Sequence, residues 1–256
     1  MAPFSDVAGG AINRLLARTG FVITRAAPSQ AESWRSRIGG PYRTDREVIA
    51  LARRRGLSVG DYIEEEWGSP GRARQIVQRL QAMGAVPPGL QSVCEIGPGS
   101  GKYIEALLEI ASPPHYEIYE IERARARWLS RTYPVIARPT DGERLSATAD
   151  ASIQLVHAHG VFASLKTVSC LASFKEFGRV TRPGGHVAFD IISEECLSEV
   201  DVDAWLRTRL RYVNFMSKPF LIDYFERHGF SLIGDFRFPL MIFGHSVYLV
   251  FTKTRA

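Results

Sequence analysis

One stretch, Val93-Cys94-Glu95-Ile96-Gly97-Pro98-Gly99-Ser100-Gly101, limits what this chain can become more than any other. A short apolar strand closes on an acidic residue and breaks into a turn with glycine at every second position. From Tyr103 to Glu109 the apolar residues then take helical spacing. Glycines at 97, 99 and 101 allow dihedrals that a Cβ forbids, and they let a ligand lie almost against the main chain. Strand, glycine turn and helix is how a nucleotide-binding α/β domain begins, so a flat polar ligand is expected there. A dinucleotide fingerprint needs Gly-x-Gly-x-x-Gly, and Lys102 stands where its third glycine belongs, which disfavours NAD.

The 256 residues, 45% hydrophobic and 23% charged, suffice for one sizeable α/β domain and an accessory segment. No apolar run approaches the roughly 20 residues of a membrane-spanning helix. Ala11 to Arg18 reads as an amphipathic helix whose arginines interrupt any signal-peptide core. It is expected to pack on the protein, with peripheral membrane contact as the alternative. Cys94, Cys170 and Cys196 have no paired spacing, so neither zinc nor a disulfide framework is expected, and a cytoplasmic setting fits. The net charge of +5 is carried mainly by arginine, in clusters at Arg53 to Arg55 and at Arg123, Arg125 and Arg127. Such clusters are read as solvated helix faces, and no basic tract interleaved with aromatics marks a nucleic-acid partner. A homodimer stays open.

Before the glycine turn the pattern is helical pieces separated by turns: Thr44 to Arg55, Ser58 to Trp67 and Arg72 to Met83, ending at Pro87-Pro88-Gly89. Residues 1–88 are therefore expected to form a helical lid or accessory segment, with Tyr42, Asp61, Tyr62, Glu66 and Trp67 offering aromatic and acidic side chains. Residues 89–256 form the ligand-binding domain. In it, Tyr116 to Glu120 is the second strand. The acid at its end, Glu120, can accept hydrogen bonds from both hydroxyls of a ribose. Glu122 follows that strand and suits the N-terminus of the next helix. A third strand runs from Pro134 to Ala137. A fourth begins at Ser152 and leads to His157, His159 and Phe162, with Leu155, His157 and His159 on one face by alternation. His159 stands farther out and is the better candidate base; His157 would orient it or touch the ligand. After a helix from Val168 to Val180, Arg182-Pro183-Gly184-Gly185 opens a fifth strand in which Asp190 is a lone acid near the end, where it needs a partner. Phe230 to Asp235 and Ser246 to Phe251 are two last strands, expected to pair antiparallel.

The order acid, apolar residue, Gly-x-Gly-x-Gly at Glu95 to Gly101 resembles motif I of the class I S-adenosylmethionine-dependent methyltransferases. The Glu120 position and the Pro-Gly-Gly strand resemble the same family over about residues 90 to 253. The resemblance implies a Rossmann-like α/β fold with a seven-stranded, mostly parallel sheet and an antiparallel last hairpin. It also implies S-adenosyl-L-methionine as cofactor, bound by Glu95, Gly97, Gly99, Gly101 and Glu120, with Asp141 at the adenine. An ordinary Asp-Gly turn is the alternative for Asp141. His-Ala-His-Gly-Val-Phe and the stretch Leu15 to Arg25 resemble bacterial sugar and glycan O-methyltransferases. The acceptor expected from this is a hydroxyl of a sugar or glycan-bearing molecule, a glycolipid, polysaccharide or oligosaccharide; a non-sugar small molecule or lipid is the alternative. An alcohol is a poor nucleophile at neutral pH, which is why His159, His157 and Asp190 are the catalytic candidates. Histidine and carboxylate with oxygen ligands would also suit magnesium or manganese, although no metal-ligand spacing is present.

Overall fold

Alternation along the strands sorts the described residues into two packed faces. A computed structural model describes residues 45–208, 214–240 and 244–254. The expected helix Ala11–Arg18, Tyr42 and Thr44 lie outside the described residues. Three helices come first: α1 (Asp45–Arg55), α2 (Val59–Glu66) and α3 (Arg72–Ala82). Ser58 starts α2, its hydroxyl accepting from the Asp61 N–H at 3.0 Å. Gly71, at the start of α3, has no side chain to cap with, and the buried Glu64 carboxylate supplies the acceptor for the Ala73 N–H at 2.7 Å.

The sheet follows: β1 (Ser92–Ile96), α4 (Lys102–Ile110), β2 (His115–Tyr119), α5 (Arg123–Thr132), β3 (Ile136–Ala137), β4 (Ile153–Ala158), α6 (Thr167–Val180), β5 (Thr181–Ile191), α7 (Glu199–Thr208), α8 (Lys218–Arg227), β6 (Phe230–Pro239) and β7 (His245–Lys253). Seven strands lie in the order β3-β2-β1-β4-β5-β7-β6. β1 to β5 pair in parallel, and β7 inserts between β5 and β6, antiparallel to both. This is the Rossmann-like methyltransferase fold expected from the sequence. The strand order reverses at β1 and β4, which places the ligand crevice at their carboxyl ends.

On one face Val93, Ile118, Leu155, Ala188 and Val250 pack beneath α3 and α4 through Ile76, Leu80, Ile104 and Leu107. On the other, Val156, Val187, Phe189, Leu249 and Phe251 meet α6 and α8 in a cluster of Phe162, Phe174, Phe177 and Phe225. The Pro-Gly-Gly segment corrects one expectation. It stands inside β5 as an irregularity, since Ile153 pairs with Thr181 but Leu155 already pairs with His186. Pro183 has no N–H to offer the ladder, and Gly184 at φ +72° permits the detour. Helix α7, which no apolar periodicity announced, lies between β5 and α8 and leaves Val200 and Leu206 exposed. Among the described residues no helix is long and apolar enough to cross a membrane. All three cysteines are buried thiols.

Candidate active site

The glycine turn is built as its spacing requires. Gly97, Gly99 and Gly101 have φ of +61°, +56° and +81°. A Cβ on Gly97 would stand 2.9 Å from Val161 Cγ2, and one on Gly101 would stand 2.9 Å from both Leu129 and Tyr133. Those two glycines are therefore demanded by packing. Gly99 differs, because a Cβ there would meet nothing nearer than the Gly97 carbonyl at 3.9 Å. Its backbone borders open space, which is what close approach of a ligand needs.

Glu120 follows β2 at the rim of this turn. Its carboxylate is largely buried, accepts from the Gly99 N–H at 3.3 Å and the Glu122 N–H at 2.9 Å, and lies 3.8 Å from Arg125 Nη1. The acid is thus held in place beside the glycines, where ribose hydroxyls would reach it. Glu122 caps α5, accepting from the Ala124 N–H. Ile121, which no sequence motif marks, is 51% exposed immediately after Glu120, an apolar side chain at the rim that a flat ring could contact. The 140–142 loop lies against it, as the Gly142 Cβ position is 3.5 Å from Ile121 Cγ2. Asp141 itself is exposed, and its Oδ1 accepts from the Glu143 and Arg144 N–H groups at 3.0 and 2.8 Å, which holds its pKa below the ordinary value. The local geometry there is the Asp-Gly turn.

Lys102 replaces the missing dinucleotide glycine for a structural reason. It opens α4, lies 3.8 Å from the Glu64 carboxylate, and stacks over the Tyr103 and Trp67 rings. Ser58 donates to Glu105 at 2.7 Å, so the start of α2 is tied to the first turns of α4. Tyr62 is core. Glu66 lies 3.6 Å from Arg55, and Asp61 is exposed.

Glu95, His157, His159, Asp190 and Tyr248 converge beneath the start of α4. Glu95 is 1% exposed and accepts the Tyr116 hydroxyl at 2.6 Å, so its side chain enters the core rather than the glycine turn. His157 is fully buried, its Nδ1 3.8 Å from Glu95 and its Nε2 3.1 Å from the Tyr248 hydroxyl. His159, with 19% of its side chain exposed, reaches the rim. Its Nδ1 is 3.0 Å from the same hydroxyl and 3.8 Å from Asp190. Tyr103 packs against both imidazoles at centroid distances of 4.9 and 4.7 Å. Asp190 finds its partner in the Gly160 N–H at 2.7 Å, while burial pushes its pKa up. Burial likewise raises the Tyr103 and Tyr248 phenols well above their usual range, so both remain hydroxyl groups. The two tyrosines were not singled out from the sequence. Only the register, which sets Tyr248 opposite Asp190, brings that hydroxyl between the histidines. Among the described residues no group of three or more His, Cys, Asp or Glu side chains is arranged to hold a metal ion. The magnesium or manganese alternative is thus left without a set of ligands among the described residues.

A family model described as a methyltransferase domain matches residues 69–234. The chain is similar to a malonyl-[acyl-carrier protein] O-methyltransferase from Marinomonas sp. (strain MWYL1), with 27% identity over 204 residues, covering 74% of this chain and 71% of that protein. Among solved structures it is similar to the magnesium protoporphyrin IX methyltransferase (ChlM) from Synechocystis PCC 6803 with bound SAH. The TM-score is 0.54 at 12% identity, covering 95% of this chain and 99% of the other. A SAM-dependent methyltransferase from Methanosarcina mazei also scores 0.54 at 12% identity, covering 68% and 98%. At these identities the two structures show a shared fold.

Proposed function

The chain belongs to the methyltransferase-domain family and is an S-adenosylmethionine-dependent methyltransferase, and we propose that its acceptor is a hydroxyl of a sugar or glycan-bearing molecule, deprotonated by His159. The observation that carries the oxygen acceptor is the partly exposed imidazole of His159 at the carboxyl end of β4, backed by Tyr248 and Asp190. The sugar itself is supported by the resemblance of the segment His157 to Phe162.

When bound, the cofactor offers a methyl group on a positively charged sulfur. Gly97 to Gly101 would cradle it, Glu120 would take the ribose hydroxyls, and Ile121 with the 140–142 loop would flank the adenine. Of residues 1–88, the described helices α1 to α3 would serve as a lid, a role supported by the tie between Ser58 and Glu105. As the methyl group passes to the acceptor oxygen, His159 would accept the hydroxyl proton. Imidazole, with an ordinary pKa of roughly 6.5, is matched to that task near neutral pH. A second reading takes a carboxyl acceptor on a carrier-bound acyl chain, favoured by the likeness to the malonyl-[acyl-carrier protein] enzyme. A carboxylate is already an anion and needs no base.

The purified chain incubated with S-adenosylmethionine and a panel of nitrophenyl glycosides, and separately with a malonyl thioester, distinguishes the two. Mass spectrometry should find glycosides that have gained a methyl group. Methylation of the malonyl thioester alone would replace the sugar with the carboxyl acceptor.

A further inference from the structure

We propose that Tyr248, His157 and Glu95 form a buried polar chain, hydrogen-bonded from His159 to His157 and electrostatic from His157 to Glu95, that fixes the tautomer of His159 and so decides which of its nitrogens acts as base. The inference rests on His159 being the base of the proposed reaction. The Tyr248 hydroxyl stands between the two histidines, 3.0 Å from His159 Nδ1 and 3.1 Å from His157 Nε2. The hydroxyl has one proton and two lone pairs, and the Tyr103 hydroxyl also engages it, so its single proton can serve only one of three neighbours. Which way it points is set at the far end. His157 Nδ1 is buried, finds no hydrogen-bond partner, and faces Glu95 Oε1 at 3.8 Å.

A lone pair on that nitrogen would confront an acceptor oxygen in a buried, low-dielectric setting, where the repulsion is strong. A proton there is attracted instead. His157 therefore has its hydrogen on Nδ1 and accepts from Tyr248 at Nε2. With its own proton committed to His157, the Tyr248 oxygen accepts from His159 Nδ1–H, and the Asp190 carboxylate at 3.8 Å favours the same proton. The lone pair of His159 is left on Nε2, the nitrogen away from the tyrosine. His157, Tyr248 and Glu95 touch no substrate in this scheme and are positioning residues.

Among the described residues, the groups that face His159 include Tyr103 from α4, Asp190 from β5, Tyr248 from β7 and, through His157, Glu95 from β1. Glu95→Gln tests the chain from its far end. With the Tyr116 hydroxyl donating to the amide oxygen, the amide N–H₂ faces His157 Nδ1, which becomes an acceptor. His157 Nε2–H then donates to Tyr248, Tyr248 donates to His159 Nδ1, and His159 is left as the Nε2–H form.

The full chain, ¹⁵N-labelled at histidine and saturated with S-adenosylhomocysteine, gives both tautomers by long-range proton–nitrogen correlation at a pH where the rings are neutral. His157→Asn and His159→Asn spectra provide the assignments. The expected result is Nδ1–H for both rings, and Nε2–H for both in Glu95→Gln. On the glycoside acceptors Glu95→Gln should lose roughly 10²- to 10⁴-fold in kcat at an unchanged acceptor KM. His159 found as Nε2–H in the unaltered protein would overturn the chain, and that measurement decides even if the variant does not fold. A tautomer of His159 indifferent to Glu95→Gln would overturn it too. Unchanged turnover in His159→Ala would instead reject the base, and with it the positioning role, whatever the tautomers show.

Discussion

Glu120 and the three glycines show how much one residue carries in this site. The Glu120 carboxylate is held by two backbone N–H groups, so in its proposed role it would meet ribose hydroxyls with little reorganisation. Glu120→Gln should weaken S-adenosylmethionine binding by about 1.5–3 kcal/mol, the range for hydrogen bonds to a charged group, with little change in fold. Calorimetric titration checks it. The glycines separate packing from binding. Alanine at 99 or 101 meets the left-handed penalty of about 1–2 kcal/mol. Gly101→Ala adds a clash with Leu129 and Tyr133, and should lose more stability in urea than Gly99→Ala. Gly99→Ala places its methyl in open space at the turn, and should lose cofactor affinity out of proportion to its stability. The need for glycine at these positions was legible in the sequence, because φ requirements are local. Tyr248 was not, since its role depends on a register set by residues far away in the chain.

At the scale of elements, α2 and α4 meet through Gly60. A Cβ there would lie 2.5 Å from Glu105 Oε2 and 2.9 Å from the Lys102 Cα, and the second of these is backbone that cannot swing aside. Gly60→Ala should push α2 off the start of α4 and weaken S-adenosylmethionine binding, because α4 begins where the glycine turn ends. Binding equal to that of the unaltered protein would contradict the lid role proposed for this segment. The strands and most helices were legible from period and capping: Ser58 and Glu122 both cap the helices they precede. Helix α7 was not, because Glu199-Val200-Asp201-Val202-Asp203 alternates like a strand. Its polar residues satisfy the turn instead, with Asp201 accepting from Ser198 and Gly244. The Pro-Gly-Gly segment read as a turn for the right local reason, yet pairing with β4 on either side absorbed it into β5.

For the whole molecule, the sheet keeps its two faces chemically distinct. The α6 and α8 face is an aromatic core, while the α3 and α4 face hides Glu95, His157 and Tyr248 beneath the reactive rim. Another buried acid, Glu117, serves stability. Burial pushes its pKa up, but the Arg138 guanidinium, the Thr148 hydroxyl and His115 outweigh that and hold it below the ordinary value. Its proton is bound more weakly folded than unfolded. The stability it contributes is therefore complete above the unfolded carboxylate pKa and is lost as pH falls through the folded one. Glu117→Gln should flatten the acid limb of the urea midpoint against pH. The central claim concerns His159, and the most direct measurement is the kcat of His159→Ala on a glycoside acceptor, paired with its affinity for S-adenosylmethionine. The account predicts a fall of roughly 10²- to 10⁴-fold in kcat with cofactor affinity unchanged; an unaltered kcat would contradict it.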